Sequence, residues 1–134
     1  MRVLIDTNII LDAIEVRENF FEDSSRILTL AAEYNGYIAA SSVTDIYYIE
    51  HRRNHDKTKT LDLMKKLFKL FDILDTTSSD CRNALHSPLP DFEDAVLVES
   101  AIREGIDYIV TRNVEDFKSS PVKVCTPAEF LNIL

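Results

Sequence analysis

Arg2-Val3-Leu4-Ile5-Asp6-Thr7-Asn8 is the stretch whose reading decides the fold. Val3 to Ile5 are apolar without a break. That marks a strand covered on both faces, because a strand with one wet face alternates apolar with polar residues. The run ends abruptly in a carboxylate, a hydroxyl and an amide. In an open α/β sheet ligands bind outside the carboxyl ends of the strands, so Asp6 stands where a site is built. Asn8 can cap a helix that follows at once, with Ile9, Ile10, Ala13 and Ile14 as its apolar positions.

Working outward, Phe20, Phe21, Ile27, Leu28, Leu30 and Ala31 keep helical spacing, and Asn35-Gly36 is the expected end of that second helix. Tyr37 to Ala40 reads as a second strand. Ser41 or Ser42 starts a third helix that carries Asp45, Ile46, Tyr48 and Ile49 into His51-Arg52-Arg53. A fourth runs from about Thr58, with Leu61, Met64, Leu67, Phe68 and Phe71 on one face. Phe71 to Leu74 is a third strand. A short helix from Ser78 or Ser79 is interrupted by Pro88 and Pro90, and Asp91 opens another that ends near Gly105. Tyr108 to Val110 and Val122 to Val124 are the fourth and fifth strands, with a loop or single turn over 111–117 between them. Thr126-Pro127 starts a last helix with proline at its first position. Strands alternating with helices predict a parallel-sheet α/β sandwich, in one domain over residues 1–134.

Composition narrows the function. The 134 residues are 46% hydrophobic and 28% charged, as in globular proteins. No apolar run approaches the roughly 20 residues that span a bilayer, and the start is too short in apolar residues for a secretory signal. A cytoplasmic location is therefore expected. Cys81 and Cys125 lack metal-ligand or disulfide spacing. With only two glycines the chain carries neither a P-loop nor a dinucleotide fingerprint. The net charge of −8 is not that of an electrostatic nucleic-acid binder. The charge is uneven, however: seven basic residues from Arg52 to Lys69, among them Arg53 and Lys57, face only Asp56 and Asp62. They read either as a solvated helix face or as a basic flank beside an acidic pocket. His51 and His55, four apart among basic residues, read as solvated.

Carboxylates recur at the expected carboxyl edge of the sheet: Asp6 after the first strand, Asp45 early in the helix after the second, Asp91 and Asp94 opening the helix before the fourth, and Asp116 just past the fourth. Acids brought close together repel unless a cation is present, and an all-oxygen set suits Mg²⁺ or Mn²⁺. Each has a plain structural reading as well. Asp6 can be a helix cap, Asp91 and Asp94 two halves of a capping box, Asp45 a helix-start residue, and Asn113 and Asp116 turn residues.

Val-Leu-Ile-Asp-Thr-Asn at the start, Asp91-Phe92-Glu93-Asp94-Ala95 mid-chain, and Ile109-Val110-Thr111-Arg112-Asn113 followed by Asp116-Phe117 together resemble the PIN-domain family. Arg17 before Phe20-Phe21 and the closing Thr126-Pro127-Ala128-Glu129-Phe130-Leu131 extend the likeness over nearly the whole chain, which looks like the small toxin ribonucleases of toxin–antitoxin pairs. The resemblance implies a three-layer α/β/α sandwich with a central parallel five-stranded sheet, and an acidic pocket for Mg²⁺ or Mn²⁺ that cleaves RNA. By position, Asp6, Asp94 and Asp116 would be metal ligands and catalytic acids, and Asn8, Thr111 and Asn113 supporting polar groups, with Asp91 an extra acid. An antitoxin protein and a second copy of the chain are the implied partners. One position departs from the pattern. Counting from Ser41, the family's pocket glutamate falls on Tyr47. Asp45 lies two residues earlier, roughly 200° around a helix, and Glu50 three residues later.

Two functions follow. In the first, Asp6, Asp94 and Asp116 hold the metal, Asp45 or Asp116 orients or deprotonates the attacking water, and Arg52, Arg53 and Lys57 hold the RNA backbone. In the second, which the tyrosine favours, the chain is a scaffold that binds RNA or protein without cutting. A phosphoacceptor receiver domain fits less well, since it needs an acidic pair after the first strand and a lysine after the last.

Overall fold

The computed structural model describes residues 1–134. Five parallel strands form one sheet: β1 (Arg2–Ile5), β2 (Asn35–Ala39), β3 (Asp72–Leu74), β4 (Tyr108–Val110) and β5 (Lys123–Cys125), in the order β3-β2-β1-β4-β5. β1 is central. Val3 pairs with Gly36 on one side and Tyr108 on the other. Seven helices cover the sheet: α1 (Thr7–Ile14), α2 (Phe21–Thr29), α3 (Ala40–Asn54), α4 (Lys57–Leu70), α5 (Ser78–Ala84), α6 (Phe92–Arg103) and α7 (Pro127–Ile133).

The pleat of β1 explains why its apolar run is unbroken. Val3 and Ile5 face a core shared with Ile9, Ile10, Ile27, Ile46 and Phe130. Leu4 faces the opposite core, with Ala95, Leu97, Val98 and Ile109. Val3, Leu4 and Ile5 are each at most 1% exposed. The molecule is thus the expected three-layer α/β/α sandwich, and the strand order reverses at β1. That reversal is the crevice where open α/β sheets bind ligands. No helix is long and apolar enough to cross a membrane.

Several local expectations shift. Asn35 and Gly36 do not end α2. They open β2, after a 3-10 turn over Ala31–Glu33. Gly36 is needed for a close approach and not for a turn: a Cβ there would lie 2.5 Å from Phe71 Cδ1 and 2.9 Å from Tyr34. α3 starts at Ala40, ahead of both serines, and β5 runs one residue later than expected. On α4, Met64 and Leu67 are buried but Leu61 and Phe68 stay exposed. α6 ends as anticipated, with Gly105 at φ 65°, where a side chain would be strained. α7 starts on Thr126, whose hydroxyl and Glu129 form a reciprocal capping box, with Pro127 at its first position.

Candidate active site

The helix that follows β1 is capped by Asp6, not by Asn8. Asp6 Oδ1 accepts from Thr7 N at 2.8 Å, and its Oδ2 accepts the Thr111 hydroxyl at 2.7 Å. Its own N–H donates to Val110 O at 3.0 Å, so the adjoining strand fixes its backbone. Thr111 is buried, and its Oγ1 also accepts from Asn113 N at 3.1 Å. One threonine thereby ties the carboxylate of Asp6 to the turn over Val114–Phe117 that carries Asp116. Burial pushes the Asp6 carboxyl up. The bonds from Thr111 and Thr7 and the charge of Arg112 pull it back, while the Asp116 charge raises it.

Asp94 arrives from the opposite layer. Asp91 caps α6 and accepts Asp94 N at 2.9 Å. The reciprocal half of a capping box is not made, so the Asp94 carboxylate is not spent on its own helix. Burial, then the charges of Asp6, Asp91 and Asp116, push it to about 7. The three acids expected as ligands therefore lie within reach of one another's charge. No basic side chain is among the groups that act on Asp94.

Asp45 and Tyr47 divide the roles the spacing left open. Asp45 comes out against Glu93 in the first turn of α6. A hydrogen bond between the two carboxyls, then burial and the charges of Asp45, Asp91 and Asp94, push Glu93 to about 7. Tyr47 turns away, packs edge-on to Tyr48 at 5.1 Å, stacks on His51 at 5.7 Å and rests against the core. Glu50 is buried too, but beside Glu15 and Arg53, apart from the acid group. Its charge partners are the end of α1 and not Asp6 or Asp94.

Sequence reasoning passed over three residues. Glu93 sits inside the quoted Asp-Phe-Glu-Asp motif, but its partner is 48 positions away. Asp12 is wholly buried and accepts Arg112 Nε at 2.8 Å and Arg17 Nη1 at 3.3 Å. A carboxylate in the apolar register of α1 was the available signal, since a buried charge requires a cation. Arg112, the partner, is the one base whose charge acts on Asp6. By contrast, Arg52 and Arg53 lie seven and eight residues beyond Asp45, about 10 Å or more along α3 at the helical rise. Arg52 Nε donates to Tyr48 O, and Arg53 approaches Glu50 at 3.7 Å. Lys57 is exposed at the start of α4. The structure does not bring these three to the acids.

The residues fit a hard divalent cation. The donors are all oxygen, and Asn8 Oδ1 is a buried acceptor with no hydrogen-bond partner, two residues from Asp6. No three groups are arranged tightly enough to cage an ion as they stand. Magnesium-type sites, however, need only one or two carboxylates, with water and substrate oxygens completing the shell.

A family model described as a PIN domain matches residues 2–115. Among solved structures, the VapBC2 complex of Rickettsia felis bound to a DNA fragment from its promoter is 18% identical, with a TM-score of 0.68 over 94% of this chain and 98% of that one. A toxin–antitoxin complex of Klebsiella pneumoniae is 19% identical, with a TM-score of 0.70 over 93% and 97%. The sarcin-ricin loop-cleaving toxin VapC20 of Mycobacterium tuberculosis is 13% identical, with a TM-score of 0.63 over 80% and 86%. No curated protein matches the chain. At these identities the likeness is one of fold.

Proposed function

The chain belongs to the PIN-domain family, and from that premise we propose that it is a metal-dependent endoribonuclease, the toxin of a toxin–antitoxin pair acting in the cytoplasm. The observation that carries the reading is the gathering of Asp6, Asp94 and Asp116 from separate elements within reach of one another's charge, beside the buried and unpartnered Asn8 Oδ1. Crowded acids of this kind at a strand edge favour a site that works with a positive ion in it.

Asp6 and Asp94 would hold Mg²⁺ or Mn²⁺, with Asp116 directly or through water, and Asn8 offers a further oxygen. Such an ion supplies Lewis acidity toward the phosphodiester and eases deprotonation of a water. The protein's own groups do the rest. Thr111 fixes the Asp6 carboxylate through its hydroxyl and the following turn through its backbone-bonded Oγ1. Asp91 holds the first turn of α6, and with it Asp94 and Glu93. Glu93, pushed up to about 7 beside Asp45, suits a group that takes a proton at neutral pH. Arg52, Arg53 and Lys57 would hold flanking RNA backbone away from the acids. The complexes of similar fold support an antitoxin protein as partner, the loop-cleaving toxin supports RNA as substrate, and a homodimer is part of the same reading. Replacing Asp6 with Asn should abolish Mg²⁺-dependent cleavage of single-stranded RNA with the circular dichroism spectrum unchanged; full cleavage by that variant overturns the assignment.

The packing of Tyr47 where the family pattern has a pocket glutamate favours a second reading, a scaffold that binds RNA or its partner without cutting. It predicts weak Mn²⁺ binding and intact RNA.

A further inference from the structure

We propose that the cavity beside Arg112 is a nucleotide subsite, in which Arg112 receives a phosphate of single-stranded RNA and the adjoining base is seated between Phe20 and Ser24. The proposal rests on the nuclease reading and adds the place where the strand is gripped next to the acids.

Arg112 directly follows Thr111, the residue that fixes Asp6. Its orientation is set from three sides. Asp12 takes its Nε at 2.8 Å and its Nη2 at 3.3 Å. The Phe20 ring lies under the guanidinium at 4.3 Å. Arg17, bonded to Asp12 and Glu15, closes the other side of the same carboxylate. Nη1 is left with no hydrogen bond inside the protein. A guanidinium whose edge and one face are occupied, with its remaining edge free, is pre-set for a phosphate oxygen. Arg52, Arg53 and Lys57 are not brought to the acids, and the pocket itself repels RNA. The strand therefore needs a cation at its rim, and Arg112 is the base whose charge reaches Asp6.

The cavity behind it holds about 250 Å³, with Asn19, Phe20, Asp23, Ser24 and Thr126 in its wall. Ser24 is 1% exposed, yet its hydroxyl has no partner. Serine hydroxyls this deeply buried are normally bonded, so the orphan points to a group that arrives with the ligand. Asp23 bars a phosphate from the interior and accepts from base N–H groups. Phe20 is 42% exposed beside Arg112, and single-stranded RNA is read by stacking bases on aromatic rings and guanidinium planes. The loop that presents Phe20 is held in one shape: Val16 and Asn19 have φ of 52° and 73°, and Phe20 N and Phe21 N both donate to Arg17 O.

The test is fluorescence anisotropy of a short 5′-labelled single-stranded RNA with the full chain in EDTA, where no cleavage occurs, followed by cleavage with Mn²⁺. Phe20→Ala and Arg112→Ala should each weaken binding about tenfold, and Arg82→Ala, at an exposed position on α5, less than threefold. Phe20 is exposed, so its variant keeps the fold; a thermal melt checks Arg112→Ala. Wild-type protein that binds and cuts RNA while Phe20→Ala and folded Arg112→Ala bind equally well overturns the subsite and leaves the nuclease standing. Wild-type protein that neither binds nor cuts RNA overturns both.

Discussion

Two carboxylates contributed by the same pair of packed helices, α5 and α6, are treated in opposite ways. Asp80, on α5, is 1% exposed and fully partnered. It accepts Arg103 Nε and Nη2 at 3.0 Å each, Ser100 Oγ at 2.9 Å and Thr77 N at 2.9 Å. Burial alone would raise its pKa, but the bonds from Arg103, Thr77 and Ser100 outweigh it and hold the carboxyl at about 2. Asp94, at the other end of α6, has acids for neighbours and stands at about 7. The satisfied acid is part of the frame. The unsatisfied one lowers stability where it stands, as groups at functional sites commonly do.

The largest expected effect separates the two in activity. Asp94→Asn should lower Mn²⁺-dependent RNA cleavage by about 10³-fold, equivalent to about 4 kcal/mol of barrier. Asp80→Asn should leave cleavage within a factor of about three at temperatures where the protein is folded. Equal losses in the two variants would dissolve the distinction.

Stability should reverse the order. Asp80→Asn breaks a buried pair and should destabilise by about 2–3 kcal/mol in urea unfolding; this is below the full cost of a broken buried pair, because Arg103 can still reach water. Asp94→Asn should not destabilise at pH 8. A stability loss in Asp94→Asn as large as that in Asp80→Asn would place Asp94 in the frame after all.

The pH dependence sharpens the same contrast. Asp80, depressed to about 2, contributes stability that is present above its unfolded pKa and lost only as the pH falls toward 2. Asp94, raised to about 7, works the other way. The folded state binds its proton more tightly than the unfolded chain, so metal-free stability falls as pH rises from about 4 to 7. Partial exposure of Asp94 screens the effect to about 1 kcal/mol. The metal-free melting temperature should drop between pH 5 and pH 8, and either Mn²⁺ or Asp94→Asn should recover the loss at pH 8. A flat profile without metal would mean that the acids do not crowd one another.

The contrast also explains what could be read from residues alone. The sheet was legible because burial on both faces leaves an uninterrupted apolar run, as in Val3 to Ile5. Asp6, Asp94 and Asp116 were legible because each stands at an element end that a parallel sheet gathers on one edge. Gly36 was misread because its cause is Phe71, 35 residues away in sequence, and not a local turn. Asp80, Asp12 and Glu93 went unread for the same reason. Their partners, Arg103, Arg112 and Asp45, are met only through tertiary packing; Asp12 alone signalled its burial, by standing in the apolar register of α1, and even there its partner is not visible in the sequence.

Glu93 and Asp45 offer the smallest and most specific test, because they sit between the two extremes: two acids held against each other, with Asp45 raising the Glu93 carboxyl. The pair joins α3 to α6. Asp45 is the first cause of the raised Glu93 carboxyl. Removing the carboxylate with Asp45→Asn should therefore lower the Glu93 pKa, and the acid limb of the cleavage profile should move to lower pH while the rate at pH 8 changes less than about threefold. Glu93→Gln should remove that limb and slow cleavage by about tenfold, at the low end of general-base contributions because Glu93 is exposed and partly replaceable by solvent. Coupled groups give non-additive variants, so the double substitution should cost little more than Glu93→Gln alone. Unmoved acid limbs in both single variants would reduce the pair to a contact between helices and return the proton-accepting role to Asp116.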